Sequence, residues 1–122
     1  MARIFLLVIG LNLLLACSTT KNWKGSDEDG HNYASFDEFS GKQDFTMKLQ
    51  QGSDCFVNYD IKVSGGRLHM LVKSPNKVIL DTSFTSNASD LIVINKNSDS
   101  VYTLVLAGSK AKGSFDVKYG TR

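Results

Sequence analysis

The stretch Cys55-Phe56-Val57-Asn58-Tyr59-Asp60-Ile61-Lys62-Val63-Ser64-Gly65-Gly66-Arg67-Leu68-His69-Met70-Leu71-Val72-Lys73 decides the fold. Cys55, Val57, Tyr59, Ile61 and Val63 fall on one side of an extended chain, and Asn58, Asp60 and Lys62 on the other. That period of two is the mark of a half-buried strand. Ser64 to Arg67 reads as a tight return, after which Leu68, Met70 and Val72 continue the apolar face opposite His69 and Lys73. A hairpin pairing Val63 with Leu68 is the expectation, since it sets Ile61 beside Met70 and Tyr59 beside Val72.

The same reading extends in both directions. Tyr33 to Phe39 is a weakly patterned first strand, and Gln43 to Gln50 alternates Phe45, Met47 and Leu49 against Asp44, Thr46 and Lys48 before turning at Gln51-Gly52-Ser53. Ser74-Pro75-Asn76-Lys77 has proline where a β-turn favours it, so Val78 to Phe84 is the next strand. Thr85 to Asp90 is a polar loop. Leu91 to Asn95 and Val101 to Ala107, joined by Lys96 to Ser100, are apolar on both faces and predict central strands covered by Tyr33, Phe36 and Phe39. Gly108 to Gly113 turns the chain into a closing strand with Phe115, Val117 and Tyr119 on one face. Seven or eight short strands with no helical period predict an all-β, antiparallel, jelly-roll-like sandwich.

The pattern from Asp44 to Tyr119, with Ser64-Gly65-Gly66, Leu68 to Lys77, Val101 to Leu106 and Gly113 to Tyr119 in order, resembles β-sandwich modules related to bacterial pre-peptidase C-terminal and GOLD-like domains. Such modules also occur alone in small lipoproteins, and the resemblance implies a non-catalytic accessory role with no catalytic residues to transfer. This chain departs from the peptidase-linked members in having no protease attached, so a secretion or processing role does not carry over.

The first residues read as an address. Arg3 and the amino terminus precede the apolar run Ile4 to Ala16. At about 13 residues this run is shorter than the roughly 20 that cross a bilayer as a helix. Leu14-Leu15-Ala16-Cys17 resembles the lipobox of bacterial lipoproteins, which implies a signal peptide over 1–16, cut before Cys17, and a diacylglyceryl thioether on that thiol. The thiolate is the strong nucleophile that such alkylation needs. Residues 17–32 then read as the lipidated cysteine and a flexible tether, with Trp23 its only large apolar side chain, and 33–122 as the domain. Ser18 is compatible with the outer membrane if the cell has two membranes.

Composition narrows the function. The formal charge is +2 with both signs interspersed, which speaks against a nucleic-acid partner. With Cys17 given to lipid, Cys55 is left without an intramolecular partner and reads as a small buried hydrophobe. Alternation puts it opposite His69, and His31 falls in the tether, so no nucleophile and base meet. Gly25 to Gly30 has acids at the third and fifth positions of a calcium loop, but Gly25 and Phe36 stand at the first and twelfth. Asp81 and Asp90 are a weaker calcium candidate. No three metal ligands cluster, and no cofactor motif occurs.

The expectation is a lipid-anchored, non-catalytic envelope module outside the cytoplasm, binding an unknown envelope protein or glycan. A subunit packed on a membrane-protein complex is the alternative, and a carbohydrate-binding or weak calcium-binding module the third reading. Two or more acyl chains anchor stably where one does not. Cys17→Ser is therefore expected to release or misprocess the protein in membrane fractionation; a variant still membrane-bound and resistant to salt contradicts the lipid anchor.

Overall fold

The computed structural model describes residues 19–122; the expected signal peptide over 1–16 and Cys17 lie outside them. Seven strands form one antiparallel sheet: β1 (Thr19–Lys21), β2 (Lys24–Glu28), β3 (His31–Lys48), β4 (Cys55–Lys73), β5 (Val78–Phe84), β6 (Ala88–Ile94) and β7 (Val101–Thr121). Three of them are long and side by side in the order β3, β7, β4. The short β1 and β2 flank β3 in succession, and β5 and β6 flank β4.

The sheet is folded over on itself as a β-sandwich. In β4 the buried residues are Cys55, Val57, Tyr59, Ile61 and Val63, then Leu68, Met70 and Val72, so the buried parity switches between Val63 and Leu68. β7 switches between Leu106 and Ala111, and β3 between Phe36 and Phe39. Register shifts interrupt the ladders at those levels, at Phe36/Phe39 and Phe39/Gly41 of β3 and at Val63/Gly65 and Gly65/Arg67 of β4. Each irregularity sharpens the local bend. Beyond it the second halves of the strands return over the first. Phe45, paired with Leu104 in one layer, meets Phe115 of the other at 5.8 Å between ring centroids, and Tyr59 meets Phe84 at 5.7 Å.

This corrects the hairpin. Ser64 to Arg67 does not reverse the chain; β4 is continuous, and Val63 and Leu68 find their partners in Gly113 and Gly108 of β7. A four-residue hairpin turn and a mid-strand bulge impose the same change of parity on neighbouring residues, and only the non-local partner tells them apart. For the same reason Gly108 to Gly113 is a bend within β7, and Tyr33 to Phe39 and Gln43 to Gln50 join in β3.

Two further expectations change. The stretch expected to be a tether is structured from Thr19, because β1 and β2 pair with β3. Trp23 between them packs on Phe36, Phe39 and Phe115 at centroid distances of 5.6, 5.3 and 6.0 Å, closing the open side of the core. Nor does anything from Tyr33 to Phe39 cover the outer faces. Phe36 and Phe39 are core residues, while β6 is an edge strand that leaves Leu91 47% and Val93 37% exposed.

The tips of the sandwich are pinned by side chains. Asn97, 1% exposed, accepts from the Tyr102 hydroxyl at 2.7 Å and donates to the carbonyls of Gln50 and Asp99. Ser74 and Asn76 in the β4–β5 turn donate to Asp99 in the β6–β7 connection, and those hydrogen bonds hold its carboxyl below the ordinary value. Burial, then the nearby Asp90 charge, pushes the Tyr59 phenol up.

Glycine is required at the bend. Gly113 has φ of 147°, and a Cβ there would lie 1.8 Å from the Lys62 carbonyl oxygen. Gly113→Ala is expected to cost roughly 3 kcal/mol or more through backbone strain and displacement of β4. Urea unfolding checks this, and a midpoint equal to wild type would show that the bend tolerates a side chain.

Candidate functional site

The outer face of the layer built from β2, β3, β7, β4 and β6 carries the candidate site. Residues opposite one another in an antiparallel ladder share a face, so the register sets a row running Ser26, Tyr33, Asp116, Asp60, Ser89 across five strands. The next row toward the bend is Lys24, Ser35, Ser114, Lys62. A trough of about 560 Å³ opens over these rows, lined by Tyr33, Ser35, Asp60, Lys62, Ser64, Asn87, Gly113, Ser114 and Asp116.

Several of these side chains are already oriented. The Asp116 carboxylate takes a hydrogen bond of 2.7 Å from Nε2 of His31, both groups being 33% exposed. The His31 ring lies 6.4 Å from that of Tyr33. Asn87 accepts from the Val63 amide at 3.0 Å, which fixes it at the rim and leaves its Nδ2 free to donate to a ligand. Lys62 reaches Asp60 at 3.4 Å, an exposed contact that contributes little. Asp60 and Asp116 are directly opposed on neighbouring strands, and like charges in that relation destabilise a sheet. A ligand offering hydroxyl donors would relieve the repulsion that His31 and Lys62 only partly offset.

A second polar constellation lies on the outer face of the other layer. His69 bonds Ser83 Oγ through Nδ1 and Asp81 Oδ1 through Nε2, both at 2.7 Å. It sets serine, histidine and aspartate side by side, but with the two ring nitrogens exchanged relative to a Ser-His-Asp triad, where Nε2 meets the serine and Nδ1 the aspartate. Acyl transfer also needs donors aimed at the developing oxyanion. Around Ser83 the backbone N–H groups lie in the sheet plane, directed alternately at β4 and at the open edge of β5 rather than above the face.

The other sequence candidates separate. Cys55 is fully buried, its Sγ 3.5 Å from the Gln50 carbonyl, on the face opposite His69. His31 belongs to β3, not to a tether, and faces Asp116. Asp81 and Asp90 sit on strands paired with different halves of β4. Among the described residues no three His, Cys, Asp or Glu side chains are placed to hold a metal. The alternation had put Asp60, Lys62 and Asp116 on outward faces. Their meeting with Tyr33 depends on β7 lying between β3 and β4, which no local pattern reports.

No protein-family model matches the chain, and no curated protein matches it. Among solved structures it is similar to one described as "CBM4 structure and function", at 10% identity and a TM-score of 0.42, covering 81% of this chain and 76% of that one. It is also similar to one described as "BiXyn10A CBM1 APO", at 10% identity and a TM-score of 0.36, covering 83% and 88%.

Proposed function

We propose that this chain is a lipid-anchored, non-catalytic module of the cell envelope, held by Cys17 outside the cytoplasm, that binds a glycan in the trough of Tyr33, Asp60 and Asp116. The observation that carries the reading is the placement of one aromatic ring beside two opposed carboxylates, an amide and three serine hydroxyls. A sugar presents a C–H face that lies against an aromatic ring and a rim of hydroxyls that donate and accept at once. Carboxylates, amides and hydroxyls match that rim, with few charged donors to exclude a neutral ligand.

Tyr33→Ala is expected to weaken binding about tenfold with little change in thermal midpoint, since Tyr33 lies on the outer face. Titration calorimetry against β-linked hexose and pentose oligomers and peptidoglycan fragments reads this. If none of these sugars binds, and in-cell cross-linking through β6 recovers one dominant membrane protein, the accessory-subunit reading stands instead. Its supporting feature is exposed Leu91 and Val93 beside Phe56 on an edge strand.

The non-catalytic part of the reading has its own test at Ser83. Hydrolysis of p-nitrophenyl acetate is expected to be the same for wild type, Ser83→Ala and His69→Ala. A rate lost in both variants would make the Ser83 array an acyl-transfer site.

A further inference from the structure

We propose that the bend of the sandwich is a membrane-docking face for anionic lipid headgroups, an inference that rests on Cys17 being the lipid anchor. Thr19, the first residue of β1, pairs with Ser40 of β3 at the bend, and the Lys110 amide of β7 donates to Ser40 Oγ at 3.0 Å. Cys17 precedes Thr19 by two residues. At roughly 3.3–3.6 Å per extended residue, its Cα lies no more than about 7 Å from that of Thr19. A lipid on Cys17 thus leaves no room for a long spacer, and the bend is the part of the domain nearest the bilayer.

The charge distribution fits that orientation. Lys21 and Lys24 of the flanking strands, Lys42 of β3, Arg67 of β4, and Lys110 and Lys112 of β7 are all exposed at or beside the bend. The register places them together, with Lys42 opposite Ala107, Arg67 opposite Ser109 and Lys112 opposite Gly65. These are six of the chain's 14 basic residues, accompanied by only Asp37 and Glu38 of its 12 acids. Glu38 is engaged by Lys21 at 3.6 Å, and Asp37 by Asn22. Away from the bend both signs mix: Asp27, Glu28 and Asp29 at the β2–β3 turn, Asp54 before β4 and Asp99 before β7 stand among Lys48, Lys73, Lys77, Lys96, Lys118 and Arg122. A bend with a net excess of basic groups and far ends of mixed sign orient the domain in the field of an anionic leaflet, which acts within a Debye length of the surface. Large apolar side chains are absent from this basic set, so the contact is peripheral rather than inserted.

The test uses the full lipidated protein in vesicles of phosphatidylcholine with or without phosphatidylglycerol. In a Cys55→Ala background, nitroxide labels are placed at Ser109→Cys on the bend and at Ser98→Cys on the far tip. In phosphatidylglycerol vesicles the bend label is expected to collide several-fold less with an aqueous nickel chelate than the tip label. The contrast should fall in phosphatidylcholine alone, in high salt, and in Arg67→Glu/Lys112→Glu. Equal accessibility of the two labels in phosphatidylglycerol vesicles would overturn the inference. The mass of the Cys17 peptide reports the anchor separately. If that peptide carries no lipid, the anchor reading fails on its own. The unmodified chain is then sedimented with phosphatidylglycerol vesicles, where a tenfold or larger loss in the double charge reversal supports a docking face and absence of binding overturns it.

Discussion

Everything in this molecule follows from three neighbouring strands changing, at one level, which of their side chains they bury. A strand that kept strict alternation from Cys55 to Lys73 would put either Val57 and Ile61 or Met70 and Val72 into water. The extra residue at each bend lets one strand supply both layers. The apolar faces of the two layers then meet across Phe45 and Phe115, and across Tyr59 and Phe84. The backbones come so close at this level that Gly66, like Gly113, could not carry a side chain: a Cβ on it would lie 2.1 Å from the Lys110 carbonyl oxygen. Close packing of backbone on backbone, not turn chemistry, is what places glycine there.

The second constraint is the position of β7. It is last in sequence yet central in space, and it contributes residues to both layers and to both outer faces. Its pairings with β3 and β4 are nearly all distant in sequence, so the core closes only when the chain is complete. Contacts of that kind slow folding, because loop closure costs entropy before the contact forms. The Asn97 cluster bears on this step. By tying the β6–β7 connection to the Gln50 and Ser53 backbone, it fixes where β7 begins its insertion.

The limits of the sequence reading are physical. Alternation identified the inward residues of β4 and the C-terminal half of β7 correctly, because side-chain direction in a strand is a local property. It failed at Ser64 to Arg67 and Gly108 to Gly113, where glycine and a change of parity are compatible with a turn or a bulge alike. It failed differently at Thr19 to Glu28. That stretch is polar because its strands are fully exposed, and it is ordered by hydrogen bonds to β3 and by Trp23 packed on the core between them. Apolar runs at Leu91 to Ile94 suggested burial on two faces, whereas the strand is an edge whose outward residues remain in water. The trough was invisible for a related reason. Tyr33, Asp60 and Asp116 are each an ordinary outward residue, and only the non-sequential order of strands makes them neighbours.

That same order sets the relation between anchor and site. The trough begins at the bend, where Ser64 and Gly113 line it, and extends along one outer layer toward the acidic turn of β2 and β3. With the bend against headgroups, the strands of that layer rise from the membrane and the trough opens sideways, parallel to the surface. A ligand reaching it would be a chain running alongside the bilayer rather than one arriving end-on. Asp60 and Asp116 oppose one another as like charges, and the nearest cation on the same strand as Asp60, Lys62, sits on the bend side of it. On the proposed docking the basic residues of the bend would face phosphate and the carboxylates of the trough would face the proposed glycan, so the two parts of the charge pattern would serve two different partners.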